Sequence, residues 1–321
     1  MGEPTDPQPT VVVPVFNDWA ALQMLAEGVA AATAGGPRPR LVIVDDGSSE
    51  PGPDPDALAR TGLAGEILRL HRNLGHQGAI AVGLCHAVTR GDTGTIAAMD
   101  GDGEDRPEDL PALLAAVGGE SQRIVVAERA RRHAPLGFRL FYQLYSVVFR
   151  LLTGQHLGFG NFCALGPAAA RRVVHMPEVT VHLAATLLSA RLPIRRLSMD
   201  RGPRYDGRSK MSFVALTGHG LRSIAVFGEA VLTRIVIAAF WVAALGALVL
   251  LIVFLMKLGG MASPGWTTTV AGVVIGVVVQ TVVVSLLGLL LIMRGRRAEA
   301  QDPEALAKSM IRRIDRFGSS N

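Results

Sequence analysis

Two uncharged apolar runs near the C-terminus constrain this chain more than any other feature. Ile235 to Met256 contains no charged residue, and neither does Val270 to Met293, where Gln280 is the polar interruption. A helix of roughly twenty apolar residues matches the hydrocarbon core of a bilayer, so the pair predicts two membrane-spanning helices. The intervening KLGGMASPGWTTT ends the first helix with Gly and turns the chain with Pro. A buried helical hairpin of a soluble protein is the competing reading, and uncharged runs this long are uncommon there.

The flanking charges predict orientation. Arg222 and Arg234 precede the first run, Arg294, Arg296 and Arg297 follow the second, and the connection carries only Lys257. Basic residues stay on the cytoplasmic side, so both termini and the large N-terminal portion are expected there, on a multi-pass protein of the inner membrane. The opening MGEPTDPQPT has neither a basic start nor an apolar stretch of signal-peptide length. Cys85 and Cys163 form no CxxC pair, which fits a reduced compartment and leaves no cysteine-based zinc site. A net charge of +5 raises the question of nucleic acid, but much of it lies near the apolar runs and in the C-terminal tail. Membrane lipids with anionic headgroups are the expected partner, and nucleic acid is not.

The first 200 residues alternate strand and helix patterns. TVVVPVF, LVIVDDGSS, EILRLH, TIAAMDG and RIVVAER are short apolar runs, separated by helical stretches such as Asp18 to Ala32 and Gly78 to Val88. Nearly continuous apolar strands between helices indicate an α/β fold with a mainly parallel sheet covered on both faces. Ligands bind such sheets at the carboxyl ends of the strands. Asn17 and Asp18, Asp45 and Asp46, Asn73 and Gly75, and Asp100 and Asp102 all fall there.

The fourth of these ends, MDGDGEDRPEDL, is the most pointed chemically. Gly101 and Gly103 free the backbone to aim Asp100 and Asp102 at one place. Such oxygen ligands suit Mg²⁺ or Mn²⁺, which complete their shell from water and substrate phosphate. A solvated acidic turn is the bland alternative for this segment alone.

VVVPVFND, LVIVDDGSS, HRNLGHQGAIAVG and MDGDGEDRPEDL, in this order, resemble the family 2 glycosyltransferases of GT-A fold. The resemblance is strongest to the branch that loads sugars onto polyprenyl phosphates, the dolichol-phosphate mannose synthase and GtrB type. RYDGRSKM, from Arg204 to Met211, is similar to that branch's R-x-x-G-x-S-K segment. The resemblance implies a nucleotide-sugar donor, UDP- or GDP-linked, and a polyprenyl phosphate acceptor in the cell envelope. It implies that Pro14, Asn17, Asp18, Asp45 and Asp46, with Asn73, Gly75 and Asp100, bind the nucleotide sugar, and that Asp100 and Asp102 hold the metal. Arg129, Arg131, Arg204, Arg208, Ser209 and Lys210 are the candidates for the acceptor phosphate; Arg132 belongs to the same basic cluster.

One departure stands out. Where the branch has an acidic residue before a small-Gly-Phe segment, this chain has GQHLGFGNFCAL, with His156 near the expected position. His156 is a candidate replacement base, and Asp105, Glu178 and Asp206 are others. A phosphate monoester has a second pKa near ~6 and needs no base at neutral pH, whereas a hydroxyl acceptor does. The domain plan is a glycosyltransferase domain over 1–207, a juxtamembrane segment over 208–231, a two-helix anchor over 232–294 and a basic tail over 295–321. Gly272 and Gly276 form a G-x-x-x-G pair, a candidate homo-oligomer contact. The absence of Q-x-x-R-W argues against a processive polysaccharide synthase. Transfer to a lipid hydroxyl and a non-catalytic nucleotide-binding scaffold are the alternative functions.

Overall fold

In the computed structural model, residues 8–91, 94–129, 136–205, 213–261, 263, 265–295 and 301–318 are described. The chain divides into two compact units. The first comprises Met1–Ser146, Gln155–Val226 and Ala300–Asn321, and the second Val147–Gly154 and Phe227–Glu299.

The first unit opens with β1 (Thr10–Val15), α1 (Trp19–Ala32), β2 (Arg40–Asp45), α2 (Pro55–Ala59), β3 (Gly65–Leu70), α3 (His76–Thr89) and β4 (Ile96–Ala98). A short 3-10 turn at Pro107–Asp109 leads into α4 (Leu110–Ala115), followed by β5 (Ile124–Arg129) and α5 (Leu136–Thr153), whose residues from Val147 onward belong to the second unit. Then come β6 (Phe159–Leu165), α6 (Pro167–Val174), α7 (Leu183–Ser189), β7 (Ile194–Met199) and α8 (Phe213–Ala225). After the apolar helices α9 (Gly228–Leu258) and α10 (Trp266–Gly295), the chain adds α11 (Pro303–Met310) and β8 (Ile311–Phe317) to this unit.

Eight strands form one sheet in the order β7-β5-β6-β4-β1-β2-β3-β8. The β-branched runs of β1 and β2 lie at its centre, and strict alternation sends their side chains to two cores. Val12, Val42, Val44 and Leu68 face the helices α3, α6 and α7, while Val11, Val13, Ile43 and Ile67 face α1 and α4. Full burial of each such side chain contributes roughly 1.5–3 kcal/mol, which explains why strands covered on both faces read as unbroken apolar runs. Gly83 lets α3 sit directly on this surface, because a Cβ there would lie 2.4 Å from Val12 Cγ1.

The sheet is mixed. β1 pairs in parallel with β2 and β4, and β3 continues that set beside β2. β5, expected as the next parallel strand, does not pair with β4. β6 inserts between them, antiparallel to both. The physical reason is that β4 is only three residues long before its acidic turn, and the ladder on its open side is filled by a strand arriving from the other direction.

Within the basic tail, residues 301–317 form a helix and a strand. Asp302 caps α11 by accepting the amides of Glu304 and Ala305, with Pro303 at the first helical position. β8 then pairs antiparallel with β3, placing Asp315 opposite Ile67 and Arg316 opposite Glu66. Glu66, 1% exposed, is ringed by Arg40, His86, Arg90 and Arg316, so the tail's basic character serves an ion cluster at the sheet edge.

In the second unit α9 and α10 pack along each other. They are long and apolar enough to cross a membrane, and only 11% and 6% of their most apolar windows are buried. That separates them from core helices of soluble proteins, which hide their apolar faces. Gly246 makes the helix contact, since a Cβ there would meet Val278 Cγ2 at 2.8 Å. Gly272 and Gly276 face open space. Arg234 donates to the carbonyls of Arg150 and Leu151, satisfying the exposed end of α5.

Candidate functional site

The candidate site is built at the carboxyl ends of β1, β2, β3 and β4, as the strand order requires. Asn17 follows β1 with φ 52° and ties that end to the turn after β2. Its Oδ1 accepts the amides of Ser49 and Glu50 at 2.9 and 3.1 Å, and its Nδ2 donates to Ser49 Oγ at 3.0 Å. Pro14 is buried within β1, and Asp18 precedes α1 without a side-chain capping bond.

Asp45 and Asp46, 4% and 3% exposed, are drawn inward. Asp45 accepts the Ser48 amide on one oxygen at 2.9 Å and Arg69 Nη1 on the other at 3.1 Å. Asp46 accepts the Leu74 amide at 2.6 Å. Burial raises the Asp46 pKa, against the lowering effect of its bonds to the Leu74 and Gly75 amides. Asn73 accepts the Gly75 amide at 2.9 Å, and Gly75 turns into α3 with φ 77°. The N-terminal approach to α3 is therefore partly satisfied by the protein's own Asn73 and Asp46.

The acidic turn after β4 is held from within. Asp105 Oδ2 accepts the Asp100 amide at 2.8 Å, and Asp102 Oδ1 accepts the Glu104 amide at 3.0 Å. His76 Nε2, at the start of α3, lies 3.1 Å from Asp100 Oδ1. Packing around the His76 ring works against its charge, yet Asp100 above all, with Asp102 and Asp105, raises its pKa. Asn161 on β6 joins this pair, with Nδ2 2.9 Å from His76 Nε2 and 3.5 Å from Asp100 Oδ1. Gln77, 4% exposed, donates to Asn161 Oδ1 at 3.0 Å while its Oε1 accepts the Leu183 amide at 2.6 Å.

Residues 201–205, in the connection between β7 and α8, lie along the same turn. The Gly202 amide donates to Glu104 O and the Tyr205 amide to Asp102 O, both at 3.0 Å. Arg204 reaches Asp102 Oδ2 at 3.1 Å and Glu104 Oε1 at 2.9 Å, and Arg201 pairs with Glu104. Burial and the charge of Asp100 raise the Asp102 pKa, while Arg204 and Arg201 pull it down. Two carboxylates that repel each other at a glycine-rich strand end are a donor set suited to a hard divalent cation. No group of three or more His, Cys, Asp or Glu side chains forms a ready-made cage among the described residues.

The structure gathers Asn17, Asp45, Asp46, Asn73, Gly75, Asp100, Asp102 and Arg204 at neighbouring strand ends. His156 does not join them. It is exposed on the approach to β6, its ring beside Gly158, and no hydrogen bond links it to Asp100 or Asp102 among the described residues. Asp105 supports the Asp100 backbone, and Glu178 lies in a 3-10 turn before α7. The Arg129 side chain and Arg131, Arg132, Asp206, Arg208, Ser209 and Lys210 lie outside the described residues. Sequence reasoning missed His76, Gln77, Asn161, Arg69 and Arg201. His76 and Gln77 directly follow the Asn-Leu-Gly turn, so proximity to α3's start was their available signal; Asn161 had none, because only the insertion of β6 brings it to β4.

The sequence that builds these strand ends matches a known family across just over half of the chain. The protein belongs to glycosyl transferase family 2, whose model matches residues 10–176, and its mixed α/β sheet is of GT-A type. Among similar proteins, a dodecaprenyl-phosphate galacturonate synthase of Rhizobium johnstonii is 35% identical over 139 residues, covering 40% of this chain and 38% of its own. An undecaprenyl-phosphate 4-deoxy-4-formamido-L-arabinose transferase of Edwardsiella ictaluri is 27% identical over 238 residues, covering 69% of this chain and 72% of its own. The match thus spans well under half of the first of these relatives. A glucosyl-3-phosphoglycerate synthase from Mycobacterium tuberculosis, solved with Mn²⁺, UDP-glucose and phosphoglyceric acid, is 16% identical with a TM-score of 0.48 over 71% of this chain and 79% of its own.

Proposed function

We propose that this protein transfers a sugar from a nucleotide sugar to a polyprenyl phosphate at the cytoplasmic face of the membrane, with inversion at the anomeric carbon. The observation that carries this reading is the contact of Arg204 with Asp102. It brings Arg204, the first residue of the R-x-x-G-x-S-K segment, onto the acidic turn that in this reading meets the donor diphosphate. The named activities of the relatives, transfer to dodecaprenyl and undecaprenyl phosphates, support the acceptor class.

Asp45, Asn17 and Asp18 frame the nucleoside, and Asn73 and Gly75 border the diphosphate. Asp100 and Asp102 are the residues that would hold Mg²⁺ or Mn²⁺, which when bound neutralises charge growing on the leaving nucleoside diphosphate. An acceptor phosphate oxygen forms the new bond to the anomeric carbon as the bond to the diphosphate breaks on the opposite side. No proton must leave a dianionic acceptor first, so the position of His156 away from the carboxylates presents no obstacle. Arg204 borders the acceptor side, and Arg208, Ser209 and Lys210, which follow it in the sequence, are the further candidates for the acceptor phosphate.

The pairing of β8 with β3 supports two membrane crossings with both flanks on one face, because the chain before α9 and after α10 belongs to a single sheet. The basic flanks support a cytoplasmic position for that face. The open Gly272–Gly276 face of α10 is the candidate for homo-oligomer packing.

The test is incubation of the detergent-purified protein with polyprenyl phosphate, Mg²⁺ or Mn²⁺ and labelled UDP- and GDP-sugars, with Asp102→Asn as control. Label entering an acid-labile lipid, and lost in the variant, is the expected result. Transfer to a diacylglycerol in preference to polyprenyl phosphate, or nucleotide binding with no transfer, would overturn it.

A further inference from the structure

Strand β8 comes after both apolar helices in the chain, yet it sends a carboxylate toward the nucleotide side of the candidate site. Arg69 Nε donates to Asp315 Oδ2 at 2.7 Å, and Arg69 Nη1 donates to Asp45 Oδ2 at 3.1 Å. The Asp315 and Asp45 side chains are 7% and 6% exposed, and Arg69 is 19% exposed. The guanidinium stands 6.0 Å from the Trp19 ring centroid, and a Cβ on Gly52 would come within 3.2 Å of its Nη1, so its neighbours leave it little freedom. Asp315 also accepts from Arg313 Nε at 2.5 Å. Burial works against its charge, but Arg69 and Arg313 hold its pKa below the usual carboxylate range.

We infer that Asp315 is a positioning residue for the nucleotide subsite, acting through Arg69 on Asp45. Guanidinium groups favour two parallel bonds to a carboxylate. By engaging Nε, Asp315 restricts Arg69 to one bond with Asp45 and leaves acceptor capacity on Asp45 for the imide or amide N–H of a nucleobase. Without it, the Arg69 fork is free to turn two donors toward Asp45. The inference rests on the reading of Asp45 as a nucleobase contact, and it makes the segment beyond the apolar helices part of the donor site.

The experiment measures UDP and GDP binding to the full-length protein in detergent by calorimetry, together with KM and kcat for the donor sugar. Asp315→Asn is expected to weaken nucleotide binding and raise the donor KM by about tenfold, the equivalent of one charge-assisted bond, with kcat within about twofold. Arg316→Ala, an exposed change on the same strand, is expected to leave both unchanged. Equal losses in the two variants would mean that loosening β8 is the cause, and would overturn the inference. Unchanged binding in Asp315→Asn overturns it alone, whereas a wild-type protein that binds neither nucleotide overturns the nucleotide reading with it. Should Asp315→Asn fail to fold, Arg69→Lys keeps the charge but cannot serve two carboxylates in one plane. The same tenfold loss is then expected, and unchanged affinity overturns the inference.

Discussion

Arg204 Nη2 lies 3.1 Å from Asp102 Oδ2, so residues 201–205, in the connection between β7 and α8, and the acidic turn after β4 form one electrostatic unit. Arg204 now acts as counter-charge to a carboxylate that burial and Asp100 make reluctant to ionise. With a divalent cation held by Asp100 and Asp102, the Arg204 guanidinium would be available to a second phosphate. Arg204→Gln is therefore expected to lower kcat/KM for the acceptor by roughly tenfold to a hundredfold, the scale of one charge-assisted phosphate contact. Steady-state kinetics with varied acceptor checks this, and an effect confined to donor KM would contradict it.

Removing either carboxylate of the Asp-Gly-Asp turn should be more severe. Asp102→Asn is expected to reduce transfer by about a hundredfold or more, and chelation of divalent ions to abolish it reversibly. Restoration by Mn²⁺ or Mg²⁺ after EDTA is the measurement, and full activity in chelator would count against the metal reading.

Asn161 connects Asp100 and His76 to buried Gln77. Asn161→Ala is expected to lower kcat by about threefold to tenfold through loss of an orienting bond, with a smaller effect on thermal stability than on rate. Comparison of kcat with Tm across Asn161→Ala and Gln77→Ala checks it, because a purely structural network would move Tm first.

Gly103 has φ +85°, and a Cβ there would lie 2.7 Å from the Tyr205 ring. Gly103→Ala thus combines backbone strain with a clash, together about 1–3 kcal/mol, and pushes residues 201–205 off the acidic turn. Reduced Tm together with reduced activity is expected. Tyr205→Ala in the same chain should recover part of the stability by removing the clash.

Glu66 supplies a pH dependence. Burial alone would raise its pKa, but bonds from His86 and Arg90 overcome that and bring it to about 2, from an ordinary 4.5. A carboxyl group whose folded pKa is depressed contributes stability that is fully present above its unfolded pKa and lost as pH falls toward the folded one. The contribution should therefore hold above about pH 4.5 and fade toward pH 2. The Tm difference between wild type and Glu66→Gln is expected to be largest near neutrality and to shrink over that interval in a pH series.

The sequence by itself determined the elements whose signal is local. The β-branched runs of Val11–Val15 and Val42–Val44 became central strands, the acidic turn fell at the end of β4, and the two uncharged runs became α9 and α10, because periodicity, turn residues and length are properties of short windows. Of the missed C-terminal elements, α11 had such a signal, since Asp302-Pro303-Glu304 is a helix start, whereas the apolar residues of IRRIDRF recur every third position and do not alternate as a strand's would.

Only the tertiary structure decided which distant residues meet. The insertion of β6 beside β4 carried Asn161 to Asp100, the path of residues 201–205 laid Arg204 on Asp102, and β8 brought Asp315 to Arg69 across 246 residues of chain. Strand order and the direction of β6 and β8 depend on how open sheet edges are filled, a competition among long-range pairings that no local window encodes.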